Sequence, residues 1–253
     1  MGIVTLFEKR REDLAAGGGP DPDLLVFDID STLMDTGPRN RAILDAAFGE
    51  LPGLGLWRDR VRHAASSWNV LDPLAEAGLR DRALLERVRD FWRERFFTDE
   101  WVRFDTPYPG AASSLHDLRS RGFRLVYLTG RHSPGMEEGT RASFQDHGFP
   151  LDGGTSFLFK PSFEMEDVLF KEEACAAIGA MGVVAGTMDN EPGNVNRFVR
   201  AFPRALNLWL RTLTSPDPEP LSSAAMAVDA DVFAVHQDAI QQGVEKPTRS
   251  RFP

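Results

Sequence analysis

The stretch LLVFDIDSTLMDTG, residues 24–37, decides the fold and raises the question of function. Its first half is a continuous apolar run, which is typical of a strand buried on both faces of a parallel sheet. The run ends in Asp28 and Asp30, and residues two apart in an extended strand point to the same side. Two neighbouring carboxylates repel each other unless a cation, a shared proton or strong hydrogen-bond donors lie nearby. Ligands bind at the carboxyl ends of strands in open parallel sheets, so we expect a site here.

Four more apolar segments follow, and a helical segment lies between each and the next. They are residues 123–129, 155–159, 182–188 and 205–210. The helical segments carry the Ser, Pro and acidic residues that favour helix starts, and several end at glycine. This alternation predicts an α/β fold built on a doubly wound parallel sheet with right-handed crossovers.

Residues 36–105 interrupt the alternation. They are rich in helix formers, contain no convincing strand and are far longer than a normal connection between strands. We therefore expect a helical insertion directly after the first strand. Its aromatic stripe of Phe91, Trp92, Phe96 and Phe97 is expected to pack in the interior of the insertion rather than to bind a ligand.

The predicted organisation has four parts: an N-terminal extension (1–23), a core domain (24–35 and 106–212), the insertion (36–105) and a C-terminal tail (213–253). The run GGGPDPD marks a loop, so the folded core is expected to begin near Leu24. The tail opens with the breaker run SPDPEP. We expect a late packing element or partial disorder there, with one helix in DADVFAVHQDAIQQ.

Composition narrows the classes of protein and partner. The chain has 253 residues and a formal net charge of -9, which argues against a broad nucleic-acid-binding face. Cys175 is the single cysteine, which excludes an intrachain disulfide and fits a reducing compartment. No apolar run is long enough to span a bilayer, and the first residues lack the apolar core of a signal peptide. We expect a soluble, cytoplasmic protein with no membrane partner; the sequence does not predict its oligomeric state.

Four motifs, in chain order, resemble those of the haloacid dehalogenase-like hydrolase superfamily, most of whose members are phosphatases. They are Asp28-Ile29-Asp30-Ser31-Thr32 after the first strand, Thr129 at the end of LVYLT, Lys171 in VLFKEEA and Asp189 in TMDNEPGN. The resemblance spans about residues 24–210. It implies a Rossmann-like core in which residues 36–105 form the helical cap.

The resemblance also implies a role for each motif residue. Asp28 would be the nucleophile that forms an aspartyl-phosphate, and Asp30 the general acid and base. Mg²⁺ would bind the carboxylates of Asp28 and Asp189 and the main-chain carbonyl of Asp30. Thr129 and Lys171 would hold the phosphoryl oxygens.

The third and fourth motifs leave alternatives open. Lys160 also follows a predicted strand, but it precedes a proline instead of beginning a helix, so we favour Lys171 as the phosphate-binding lysine. Glu191 and Asn194 are candidates for holding water around the cation. For Glu191, capping the helix that begins at Pro192 is an equal alternative.

Other residues beside the motifs are candidates for contacting substrate. Thr32 is expected to orient the first loop, and Arg131 either contacts substrate or forms a structural salt bridge. Ser31 stands where the family often has glycine, and a small residue suffices for the turn. Three polar residues at the start of the cap are candidates for recognising the leaving group, with a solvent-exposed helix surface as the default: Arg39, Asn40 and Arg41.

The predicted function is a Mg²⁺-dependent phosphomonoester hydrolase acting on a small phosphorylated metabolite. Asp30 argues against dehalogenation, because the dehalogenases of the superfamily lack a second aspartate. The motifs do not separate a phosphatase from a phosphotransferase. Two alternatives are a catalytically weak module that binds a phosphorylated ligand or a protein partner, and a phosphatase for nucleic-acid ends. The acidic charge and the cap weigh against the second of these.

Overall fold

The computed structural model describes residues 1–61 and 67–236 and confirms the doubly wound α/β fold. The strands are β1 (Leu24–Phe27), β2 (Met34–Asp35), β3 (Thr106–Pro107), β4 (Arg124–His132), β5 (Thr155–Lys160), β6 (Val184–Asp189), β7 (Leu206–Leu210) and β8 (Met226–Val228). The helices are α1 (Ile3–Ala15), α2 (Gly37–Glu50), α3 (Asp72–Glu76), α4 (Arg82–Phe96), α5 (Asp99–Val102), α6 (Ala111–Ser120), α7 (Ser133–Asp146), α8 (Asp167–Met181) and α9 (Pro192–Ala201). Two 3₁₀ helices span Gly55–Arg60 and Ala230–His236.

In the described part of the chain, six parallel strands form the main sheet in the order β5-β4-β1-β6-β7-β8. The central strand β1 is buried along its whole length, as its uninterrupted apolar sequence predicts. Leu25 and Phe27 belong to the apolar cluster that includes residues of α1 and α6, whereas Leu24 and Val26 belong to the cluster that includes residues of α8 and α9. Helices therefore cover both faces, and the carboxyl ends of β1, β4 and β6 meet at one edge. Among the described residues, no helix combines the length and apolar character that crossing a bilayer requires.

The cap consists of helices α2 to α5 and has an apolar interior of its own. Its buried members include Ile43, Phe48, Leu74, Val88 and Phe91. At its base, β2 and β3 pair antiparallel, so the chain leaves the core and returns to it at one point. Residues 62–66 of the predicted insertion lie outside the described residues.

The N-terminal segment belongs to the core, so the expectation that the folded core begins near Leu24 is wrong. Ile3, Val4 and Phe7 of α1 are fully buried in the main apolar cluster. Phe7 packs edge-on against Phe27, and a Cβ at Gly186 of β6 would lie only 2.1 Å from the Phe7 ring. The absent side chain at position 186 is therefore what lets α1 lie directly on the sheet.

The described part of the C-terminal tail also packs on the core. It adds β8 to the edge of the sheet, and Val232 and Phe233 are buried in the main apolar cluster. Ser114 of α6 donates a hydrogen bond to the Phe233 carbonyl at 3.0 Å. The helix predicted in DADVFAVHQDAIQQ is a 3₁₀ helix over Ala230–His236, and its remaining residues lie outside the described part.

Candidate active site

Asp28, Lys171 and Asp189 form a buried charged cluster where β1 and β6 end. The Lys171 Nζ donates to Asp28 Oδ1 and to Asp189 Oδ2, both at 2.7 Å. Asp28 directly follows β1, Asp189 is the last residue of β6, and Lys171 lies near the start of α8. The adjacent placement of β1 and β6 thus unites three residues that are far apart in sequence.

When both of its carboxyls are ionised, this cluster contains more negative than positive charge. Burial and the charge of Asp189 raise the pKa of Asp28 to about 8, although Lys171 opposes the rise. The two carboxylates raise the pKa of Lys171 above its ordinary value, despite burial, so the amine stays protonated. One ammonium thus faces two buried carboxylates, and an added cation would offset the remaining charge.

The loop after β1 is held by Thr32 and Asn190. The Thr32 hydroxyl donates to Asp28 Oδ2 at 3.0 Å and accepts a hydrogen bond from the Asn190 backbone N–H at 3.1 Å. Ser31 adopts φ 57°, in the left-handed region that favours glycine. This conformation explains why the family often has glycine there. Thr32 thus links the loop after β1 to Asn190 and contacts the second carboxylate oxygen of Asp28.

The Asp30 carboxylate contacts two arginines instead of the lysine. Arg131 donates to Asp30 through Nε at 2.9 Å and Nη2 at 3.0 Å, and Arg39 donates through Nη2 at 2.8 Å. Both arginines also bind the fully buried Asp105, with Arg39 forming two bonds of 2.8 Å and Arg131 one of 2.6 Å. Burial would raise the pKa of Asp30, but the charges of Arg131 and Arg39 lower it below its ordinary value.

The position of Arg39 differs from the default expectation for a cap helix. Its side chain is fully buried, stacks 4.0 Å above the Phe96 ring and donates to the Phe96 carbonyl. Asp105, which sequence reasoning missed, lies just before β3, where the chain re-enters the core. The sequence offered one weak signal for it, an acidic residue beside the end of the insertion. Arg39 therefore connects the cap to the proposed acid and base, Asp30.

Thr129 lies within β4, three residues before its end, and Lys160 is the last residue of the neighbouring β5; their surroundings differ. Thr129 is fully buried. Its Oγ1 lies 3.5 Å from Asp30 Oδ2 and accepts a hydrogen bond from the Arg131 backbone N–H. The Lys160 Nζ binds Asp167 at 2.6 Å. The structure therefore places Lys171, and not Lys160, in contact with Asp28.

Glu191 and Asn194 surround Asp189 in different ways. The Asn194 side chain donates to Asp189 Oδ1 at 3.2 Å, and so does the Glu191 backbone N–H at 2.8 Å. The Glu191 carboxylate accepts hydrogen bonds from the backbone N–H and hydroxyl of Ser215. It forms no side-chain cap on α9. Glu191 therefore anchors the segment after β7 to the site.

The donor set fits a hard divalent cation such as Mg²⁺. Carboxylate oxygens of Asp28 and Asp189 lie on either side of one amine, and oxygen is the ligand that Mg²⁺ prefers. The Asp30 carboxylate binds arginines, which leaves only its main-chain carbonyl as a ligand. Over residues 1–61 and 67–236, no cluster of three or more His, Cys, Asp or Glu side chains has the arrangement of a metal site. A site here would therefore use two carboxylates and a carbonyl, completed by water or phosphate.

A cavity of about 580 Å³ lies between the cap and this edge of the sheet. Asp28, Asp30 and Lys171 line it on the core side. The predicted aromatic stripe divides: Phe91 is buried inside the cap, whereas the other three aromatic residues, Trp92, Phe96 and Phe97, line the cavity. Trp92 and Phe96 also pack against the apolar interior of the cap, so the expected interior packing holds for these two as well, although one side of each faces the cavity.

The model of one protein family matches most of this architecture. A family model for haloacid dehalogenase-like hydrolases matches residues 22–180, more than half of the chain. The chain belongs to this hydrolase family. The match covers the first three motifs and the cap, and β6 with Asp189 follows it directly. In this haloacid dehalogenase-like hydrolase the four motifs meet at one edge of the sheet.

Solved structures share the fold of this haloacid dehalogenase-like hydrolase at low sequence identity. One titled as a phosphatase, from Clostridium difficile, is 12% identical with a TM-score of 0.52, and the alignment covers 86% of this chain and 99% of that one. The haloacid dehalogenase-like protein SP0104 of Streptococcus pneumoniae is 13% identical, with a TM-score of 0.50 and coverages of 85% and 98%. Protein tyrosine kinase A of Mycobacterium tuberculosis is 17% identical, with a TM-score of 0.52 and coverages of 89% and 100%. No curated protein sequence matched significantly.

Proposed function

We propose that the protein is a Mg²⁺-dependent phosphomonoester hydrolase that acts through an aspartyl-phosphate on a small phosphorylated substrate. The observation that carries the proposal is the contact of Lys171 with both Asp28 and Asp189 at the floor of the cavity. The lysine gives an anionic phosphate one positive partner beside the nucleophile. The position of the cavity between cap and core, with a volume of about 580 Å³, favours a small substrate over a nucleic-acid end.

In the first half of the proposed reaction, an Asp28 oxygen attacks phosphorus and the bond from phosphorus to the ester oxygen breaks. Lys171 and Thr32 hold the two Asp28 oxygens and so orient the nucleophile. The leaving oxygen takes a proton from Asp30. A cation bound by Asp28, Asp189 and the Asp30 carbonyl would supply charge stabilisation to the phosphoryl oxygens.

In the second half, water attacks the phosphorus of the aspartyl-phosphate, Asp30 takes the water proton, and phosphate and free Asp28 are released. The two arginine contacts hold Asp30 ionised, which is the form that this base step needs. For the acid step Asp30 must first gain a proton. A movement of the cap that withdraws Arg39 would favour that gain.

Purified protein should be assayed for phosphate release from a generic aryl phosphate and a metabolite panel, with Mg²⁺ and with EDTA. We expect Mg²⁺-dependent turnover that is lost in Asp28→Asn. Equal rates in wild type and Asp28→Asn on every substrate would contradict the proposal and favour a phospho-ligand-binding module. Adding an alcohol acceptor tests the phosphotransferase alternative, because transfer yields a new phosphate ester in place of inorganic phosphate.

Asp30→Asn provides a second test of the proposed roles. It should slow turnover by about 10²-fold or more, because the proton donor and acceptor is lost. Magnesium affinity, measured by calorimetry, should stay close to wild type, because the proposed ligand at this position is the main-chain carbonyl. A comparable loss of magnesium affinity would contradict the acid and base role.

A further inference from the structure

The cavity above Asp28 has a wall that phosphoryl transfer does not require. On the core side it is charged, with Asp28, Asp30, Lys171 and Arg131. On the cap side apolar groups outnumber the polar side chains of Asn40, Asn69 and Arg89. They come from α4, from the residue after it and from the segment before α3: Trp68, Val70, Leu71, Trp92, Phe96 and Phe97.

The aromatic part of this wall is built as a packed unit. The Trp92 ring centroid lies 4.7 Å from that of Phe96 and 5.6 Å from that of Phe97. The one polar group of Trp92, its Nε1–H, already donates to Asn40 Oδ1 at 2.8 Å. Trp92 therefore presents hydrocarbon to the cavity. Asn40, a candidate for recognising the leaving group, holds this tryptophan in place.

Trp68 is more exposed than Trp92, Phe96 and Phe97. Its side chain is 52% exposed, which is high for a tryptophan, and it lines the same cavity. Large exposed apolar side chains that border a concave site are typical of a surface that a bound ligand covers. Because this wall is continuous with the Asp28 site, the group that covers it is the part of the substrate attached to the phosphate.

The chemistry of the wall selects among leaving groups. A hydroxylated leaving group, such as a sugar or a hydroxy acid, would lose hydrogen bonds to water against these rings. A flat aromatic ring loses few hydrogen bonds to water there, and it stacks favourably on aromatic side chains. The cavity volume of about 580 Å³ admits a phosphate with one ring system attached.

We propose that the substrate class is a phosphomonoester whose leaving group carries an aromatic ring, held against Trp68 and Trp92 while the phosphate lies at Asp28 and Lys171. This inference rests on the proposed function, because the phosphate site fixes which end of the molecule reaches the wall. It narrows that function to ring-bearing esters.

The test compares naphthylmethyl phosphate with propyl phosphate, in magnesium buffer, using wild-type protein. Both release a primary alcohol, so their intrinsic reactivities are close, and they differ in the size of the leaving group and in its aromatic ring. We expect kcat/KM to be at least about tenfold higher for the naphthylmethyl ester, mainly through KM. A nucleoside monophosphate and phenyl phosphate in the same panel show whether the preferred ring is a nucleobase or a simple aryl group.

Trp68→Ala should reduce the ratio of the two kcat/KM values about tenfold, and Trp68→Phe should retain most of it. Leu56→Ala is the matched control, because Leu56 is an apolar cap residue that is 83% exposed and does not line the cavity. The Leu56→Ala ratio should equal that of wild type.

The outcomes separate the two proposals. If no ester is hydrolysed in a magnesium-dependent manner, the proposed function fails and this inference fails with it. If propyl phosphate is hydrolysed as well as the naphthylmethyl ester or better, the inference is overturned while the hydrolase function stands. If the ring is preferred but Trp68→Ala does not change the ratio, the assignment of the cap wall is overturned.

Discussion

The raised pKa of Asp28 predicts an unusual dependence of stability on pH when divalent cations are removed. Burial and Asp189 raise this pKa from 3.8 to about 8 in the folded protein. The folded state therefore binds the Asp28 proton more tightly than the unfolded chain does. Stability from this group is fully present below the unfolded pKa and is lost as the pH rises through the folded pKa.

The magnitude follows from linkage. Between about pH 5.5 and about pH 7.5, the folded carboxyl is mostly protonated and the unfolded carboxyl is ionised, so each pH unit changes the free energy of unfolding by up to about 1.4 kcal/mol. Over this range, with a folded pKa of about 8, Asp28 lowers the free energy of unfolding by roughly 2 to 3 kcal/mol as the pH rises. Asp30 has a lowered pKa, so its own contribution changes only at more acidic pH.

The assay is urea unfolding at both pH values in EDTA, with wild type and Asp28→Asn. Asparagine cannot titrate, so the difference between the two proteins isolates the Asp28 contribution from that of every other group. Excess Mg²⁺ should abolish the difference in pH dependence between wild type and Asp28→Asn, because a bound cation favours the ionised carboxylate. The same pH dependence in wild type and variant, or a wild type that gains stability relative to Asp28→Asn as the pH rises, would refute the reasoning.

Three further predictions concern the other parts of the site. Lys171→Gln should reduce kcat/KM by about 10²-fold or more and Lys160→Gln by less than about threefold, and a larger effect of Lys160→Gln would reverse the choice of lysine. Asp105→Leu should lower the free energy of unfolding in urea by about 3–5 kcal/mol, because it leaves two buried arginines with one carboxylate. Adding Arg39→Met should recover part of this loss, and strictly additive effects of the two substitutions would argue against their coupling. Ser31→Gly should change stability by less than about 1 kcal/mol, whereas Ser31→Val should cost about 1–2 kcal/mol, and equal stabilities would show that φ 57° carries no penalty.

The core strands and the helices after residue 110 could be predicted from sequence because local patterns determine them. The apolar run before Asp28 reports burial on both faces, and the proline and glycine boundaries report helix ends. The position of α1 could not be predicted, because it depends on a distant glycine. Nothing in MGIVTLFEKRREDL shows that Gly186 leaves room for Phe7.

The site was predictable where motif order identifies the residues, and less so where charge pairing crosses between cap and core. The sequence places Asp28, Lys171 and Asp189 at strand and helix ends, and parallel pairing then brings them together. Arg39 has the sequence context of an ordinary surface residue on a helix. Only the packing of the cap shows that it is buried between Asp30 and Asp105.

The ion pair between Arg39 and Asp105 also joins the two ends of the cap, which are 66 residues apart in sequence. Together with the pairing of β2 and β3, it brings the two chain connections between cap and core side by side, while α5 also packs on α7 through the Gly139 N–H and Asp99. Such a module can be exchanged, shortened or replaced without rerouting any strand of the main sheet. Another cap could therefore be grafted between Asp35 and Thr106, and we expect such a graft to keep the proposed chemistry only if it again supplies Arg39 to Asp30 and Asp105 to the two arginines.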